Sequence, residues 1–171
     1  MSGLLQAFVD GLLNPLTTPA HGLALLALAL LMAQQPQRFV VLVVFALALA
    51  AGFLAIVLAV ETTPARMVLL AVAAILGVMV AAAWAPKPLT WLLTAMTGAA
   101  LALDSPPQAV TIVEAYATLG GTAVGACAML VVVAAIAGHA NAAWQRLGLR
   151  ILGSWIAASA ILVLAVQLRL A

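Results

Sequence analysis

The sequence predicts an all-α membrane protein: one polytopic transmembrane bundle, residues 1–171, of about six spans with a short interfacial helix at its N-terminus. Composition is the first observation behind this. Of the 171 residues, 68% are hydrophobic and 6% are charged, whereas a soluble domain carries about 25% charged residues. The mean hydropathy is +1.31, and a soluble fold of this length leaves too much of its area exposed to hide such a surface. The second observation is that the apolar runs are continuous and rich in Ala, Leu and Val. Membrane strands would alternate polar and apolar residues, so helices are selected over a barrel.

The elements follow in order. Residues 1–19 are too polar for a span, because Gln6, Asp10 and Asn14 recur every fourth residue and so share one helix face. The stretch reads as an interfacial or re-entrant helix ended near Asn14-Pro15. A short first span covers about 19–33 and stops at QQPQR. The others run over about 39–60, 67–85, 89–103, 109–137 and 149–168, separated by ETTPAR, PKP, DSPPQ and GHANAAWQR. The fifth is longer than a bilayer requires and implies tilt. No second domain, linker or cleavable signal peptide is expected, since a basic n-region is missing and Asp10 interrupts the first apolar stretch.

Charge sorts by side. The first, third and fifth loops carry Arg38, Lys87, Arg146 and Arg150 and no acid. The opposite side carries Asp10, Glu61, Arg66, Asp104 and Arg169, with Glu114 about one turn inside the fifth span. The positive-inside rule puts the odd loops in the cytoplasm and both termini outside. All four acids and His21 then face outward, and His139 faces inward. No basic cluster points to nucleic acid. Cys127, the single cysteine, reads as a small buried hydrophobe. Trp84, Trp91 and Trp144 read as an aromatic belt and the deeper Trp155 as core.

Small residues mark faces for close helix contact. Ala117, Gly120, Gly121, Gly125 and Ala128 form a stripe on the fifth span, and Gly148 and Gly153 lie near the start of the sixth. These suit intramolecular contact, a homo-oligomer or a partner subunit.

Few residues could carry chemistry. His21, at the mouth of the first span, is either a metal-ligating imidazole or a capping histidine. Asp104 and Ser105, ahead of two prolines, are either an N-cap or a carboxylate at the outer mouth of a cation path. Glu114 could bind a cation, relay a proton, pair with Arg66 or Arg169, or sit among the headgroups. Asp10 and Asn14, one turn apart and followed by His21, offer oxygen and nitrogen donors that could converge. Glu61 reads as a solvated loop acid paired with Arg66. There is no Gly-rich phosphate loop and no nucleophile beside a base, and the two histidines fall on opposite faces, so an enzyme or a haem carrier is not expected.

Two stretches carry a family resemblance. GLLNPLTTPAHGLALLALALLMAQ, residues 11–34, resembles the opening of the HupE/UreJ family of nickel-permease-like membrane proteins, which begins His-Pro-x-x-Gly-x-Asp-His before an apolar helix. GLRILGSWIAASAILVLA, residues 148–165, resembles that family's last helix. Pro15 and His21 fall on the family's proline and second histidine. Asn14 stands at the first histidine, Thr18 at the glycine and Ala20 at the aspartate, while LALDSPP, residues 101–107, occupies the place of a His-rich block. The resemblance implies a bacterial inner-membrane permease for a divalent metal, nickel or cobalt, with an outward-facing site of His21, Asp104 and Glu114 helped by Asn14 and Asp10. The lost donors imply the alternative, a non-transporting accessory subunit of a larger membrane complex.

Overall fold

The computed structural model describes residues 2–58, 65–106 and 111–170. Among the described residues there are seven helices and no strand: α1 (Ser2–Thr17), α2 (Pro19–Ala33), α3 (Arg38–Val57), α4 (Ala65–Ala82), α5 (Lys87–Leu103), α6 (Ile112–Gly138) and α7 (Ala143–Leu170). Four of them, α3, α4, α6 and α7, are long and apolar enough to cross a membrane. The α1–α2 pair bends by 72° at its break, as in a broken span or a re-entrant loop, and would make a fifth. At 15 and 17 residues, α2 and α5 are shorter. Length and composition thus make this a membrane protein with four or five such spans.

Burial follows hydrophobic pattern. α2 is apolar on every side, and a helix of that kind belongs in the interior. It lies at the centre, in contact with all six other helices, and Leu25, Leu28 and Leu31 are fully buried. Around it the chain forms three closely packed pairs, α1 with α6, α3 with α5, and α4 with α7. α3 buries one stripe, Val41, Phe45, Leu49 and Gly52, at the spacing of a single helix face. Cys127 is half-buried against the core.

Glycine lets each pair approach to backbone contact. Cβ atoms built on Gly121 and Gly125 would collide with the carbonyl oxygens of Phe8 and Leu12, and one on Gly11 with that of Thr118. The helix expected as interfacial or re-entrant packs on the bundle: α1 crosses α6 about two to four turns inside it. Gly52 and Gly98 do the same between α3 and α5, and Gly77 and Gly153 between α4 and α7.

The expected small-residue stripe is corrected in part. Gly121 and Gly125 make the contact, but Gly120 meets open space and Ala128 is exposed, while Ala117 is half-buried. Successive helix residues turn by about 100°, so Gly120 points well away from its neighbour's partner. Gly148 also meets nothing within 4 Å. Trp155, expected in the core, is 69% exposed.

α7 begins six residues earlier than the expected 149. The Ala142 N–H donates to Gln145 Oε1 at 3.0 Å, which satisfies a free donor of the first turn and draws AWQR into the helix. α4 stops where Ala83 takes a left-handed conformation, φ 52°, with Trp84 N–H bonded to the Met79 carbonyl and Ala83 N–H to that of Val80. That bond pattern is a Schellman turn.

Contacts between helix ends place the basic residues together. Arg38 donates to the Ala33 carbonyl and lies against Gly138. Arg150 donates to Ala81 at 2.7 Å and Gln35 to Ala85 at 3.0 Å. The start of α3 and of α7 and the ends of α2, α4 and α6 therefore meet at one end of the bundle.

Candidate functional site

The other end holds the polar network. His21, in the first turn of α2, is 1% exposed. Its Nε2 lies 3.0 Å from Oδ2 of Asp104, which closes the C-terminus of α5. Arg66, in the first turn of α4, donates from Nε to the same oxygen at 3.4 Å. Asn14, in the last turn of α1, donates from Nδ2 to Ser105 Oγ at 3.1 Å and accepts from Thr18 Oγ1 at 3.2 Å. Ser105 Oγ in turn donates to the Leu101 carbonyl at 2.8 Å. Four helix ends are tied together, and a cavity of about 480 Å³ opens between them, lined by Asp10, Asn14, Thr17, Arg66, Asp104 and Thr118 among others. His21 lies behind Asp104, away from the open side.

The sequence grouped Asp10, Asn14, His21, Asp104 and Glu114; the structure places Asp10, Asn14 and Asp104 on one cavity and His21 against Asp104. Glu114 stands apart. Its carboxylate accepts from the Thr111 N–H at 3.3 Å while Thr111 Oγ1 accepts from the Glu114 N–H at 3.2 Å. This is a capping box at the start of α6, and the T-x-x-E spacing of residues 111–114 was the signal for it. The N-cap of α6 is therefore Thr111, and Asp104 is freed from that role. Arg66, expected beside Glu61 or Glu114, reaches Asp104, and the expected pairing with Glu61 is not tested. Glu61 lies outside the described residues. No sequence signal pointed to the Arg66–Asp104 pair, since 38 residues separate them.

Two opposed effects act on Asp104. Burial raises its pKa, but the His21 hydrogen bond and the Arg66 guanidinium together outweigh that and hold the carboxyl below its ordinary 3.8. A depressed carboxyl contributes stability that is complete above the unfolded value and is lost as pH falls through the lower folded one. The melting temperature of the detergent-solubilised protein is expected to fall as pH drops below 3.8, and to fall less in Asp104→Asn. Equal acid sensitivity in both would contradict the role of this carboxylate.

The contact with Asp104 orients the His21 ring. An ionised Asp104 accepts, so the Nε2 that faces it carries a hydrogen, and the tautomer of the uncharged ring that suits this contact is the one with its lone pair on Nδ1. Nδ1 is buried and has no hydrogen-bond partner among the described residues. Leaving a buried polar atom unmatched costs about 1–3 kcal/mol. A carboxylate that orients one ring nitrogen while the other stays basic is the arrangement that supports metal ligation by histidine. Among the described residues no three His, Cys, Asp or Glu side chains converge as a ready-made metal cage.

Compared with protein-family models, with curated proteins and with solved structures, the chain has no match.

Proposed function

We propose that this chain is a small permease for a divalent metal ion, nickel or cobalt, that admits its substrate through the chamber at Asp10 and Asp104 and passes it to His21. The free Nδ1 of His21 carries the reading. An incoming cation meets the carboxylates first and displaces the Arg66 guanidinium from Asp104; the His21 lone pair is on the far ring nitrogen, Nδ1, so the ring must turn before the imidazole meets the ion. Few donors suit transport, because a conducting site must bind firmly enough to load and weakly enough to release. The resemblance of residues 11–34 to the nickel-permease-like family agrees with the assignment.

In this reading α2–α7 are six spans. The short α2 and α5 cross within the bundle, and the clustering of alternate helix ends around Arg38 and Arg150 supports the alternation. The positive-inside rule then orients that basic end to the cytoplasm of a bacterial inner membrane and the chamber to the periplasm. Proteoliposomes containing the purified chain are expected to take up nickel or cobalt saturably. Uptake no greater than in protein-free liposomes would overturn the proposal.

Arg66 supplies a sharper prediction. It is the tethered cation of the unloaded site, so Arg66→Gln leaves Asp104 available. Half-saturation for nickel is expected to fall up to about fivefold, the factor represented by about 1 kcal/mol of a partly exposed ion pair. An unchanged or raised half-saturation would contradict this.

The absence of a three-donor cluster among the described residues favours a second reading. The chain would then be an accessory subunit whose polar network only ties helix ends together. Mild-detergent extraction from native membranes followed by a native gel separates the two: stoichiometric larger subunits support the accessory reading, and migration alone or as a small homo-oligomer supports the permease.

A further inference from the structure

The chamber is larger than a bare ion needs. Its volume is about 480 Å³, whereas the water shell of an octahedral divalent ion fills about 180 Å³ at about 30 Å³ per water. A cavity of this size falls within the range of small-molecule sites, about 300–1,000 Å³. Among the described residues no three His, Cys, Asp or Glu side chains converge, so a metal loaded here keeps most of the ligands it arrives with.

The wall offers many acceptors and one charged donor. The hydroxyls of Thr17, Thr18, Ser105 and Thr118 have each spent their hydrogen, on the Asn14 carbonyl, Asn14 Oδ1, the Leu101 carbonyl and the Glu114 carbonyl. What they have left is oxygen lone pairs, and Asp10 and Asp104 add carboxylate oxygens. Such a wall suits metal-bound water and amine N–H groups. Against it stands one cation, Arg66. Its side chain is 53% exposed, and among the described residues its engaged atom is Nε, 3.4 Å from Asp104. Both Nη groups remain to donate, and a guanidinium fork matches a carboxylate through two parallel hydrogen bonds. A bare cation that takes Asp104 strands this guanidinium. A cation that carries a carboxylate gives the partner back.

We infer that the chamber loads its metal as a complex with a small amino-carboxylate, whose carboxylate pairs with Arg66 while the metal and its bound amine face Asp10, Asp104 and the hydroxyls. This rests on the permease reading and names the form in which its substrate arrives. Charge selects the ligand class. A polycarboxylate would set more negative charge beside Asp10 and Asp104 than Arg66 balances, whereas one carboxylate and one amine match one cation and a wall of acceptors. Arg66 then discriminates, repelling the bare ion and receiving the complexed one.

Proteoliposomes of the full chain test the inference, given radioactive nickel at one buffered free concentration and rising amounts of its complex with histidine or with histamine. Histamine keeps the imidazole and the amine of histidine and lacks the carboxylate. Wild-type uptake is expected to rise at least fivefold, along a saturable curve, as the histidine complex increases, and to show no such rise with the histamine complex. Arg66→Gln is expected to lose the response to the histidine complex while its half-saturation for free nickel stays below the wild-type value. Arg66→Lys, which keeps the charge without the fork, is expected to fall between the two. Wild-type uptake that follows free nickel alone, or that responds equally to both complexes, overturns the inference and leaves the permease reading standing. So does a full response to the histidine complex in Arg66→Gln. Wild-type uptake at the protein-free level in every mixture removes the reading and the inference together.

Discussion

Proteoliposomes carrying His21→Ala are expected to lose nickel or cobalt uptake at least tenfold. The substitution removes the only imbalanced basic nitrogen in the network, since Nδ1 of His21 is the buried polar side-chain atom left without a partner among the described residues. It also strips Asp104 of a hydrogen bond at 3.0 Å, which costs stability, so a second variant separates the two effects. His21→Gln keeps an amide donor for Asp104 but presents no ring nitrogen behind it. The reading predicts that His21→Gln melts close to the wild type and is as inactive as His21→Ala. Wild-type uptake by His21→Gln would mean that the imbalance at Nδ1 is tolerated by the fold and unused by the substrate.

Gly121→Leu is expected to dislodge α1 from α6. The contact there is backbone on backbone, with the Phe8 carbonyl occupying the space of any Cβ at 121, so a neighbouring side chain cannot relieve it by rotating. Overpacking a core costs about 1–3 kcal/mol even where side chains can shift, and a backbone clash falls at or beyond the upper end. Gly120→Leu is the matched control, because position 120 faces open space. Melting in detergent and protease access to α1 read the difference. Gly121→Leu should melt well below the wild type with α1 cleaved early, and Gly120→Leu should match the wild type in both. Equal behaviour of the two variants would contradict the close approach. Because α1 carries Asp10 and Asn14, loss of this contact would also dismantle one wall of the chamber.

Much of the fold was legible because the bilayer simplifies the code. Continuous apolar runs mark helices, and α2 runs over Pro19–Ala33 as the run of residues 19–33 required. Failures arose where polar residues entered a helix, as in AWQR at the start of α7, since loops and amphipathic first turns share a composition. Spacing also told which glycines exist but not which way each faces, so Gly121 and Gly148 looked alike although one meets a backbone and the other meets nothing. At the site, Asp10 and Asn14 were legible as neighbours through local helix geometry, and both line the chamber. Asp104 was legible through its place at a helix end. The Arg66–Asp104 pair was not, because it depends on how α4 and α5 meet, and Glu114 was misread because a charge near a span drew more weight than its capping spacing.

The most direct measurement is nitrogen NMR of the ring of His21 in the full chain, with His139→Gln leaving it as the single histidine. Without metal the account predicts two distinct ring resonances, a protonated Nε2 and an unprotonated Nδ1. Adding nickel should broaden Nδ1 first and most, in a saturable titration that Asp104→Asn weakens. A protonated Nδ1 at neutral pH, or ring resonances that nickel leaves unchanged, would contradict the claim that His21 offers its free nitrogen to a metal ion.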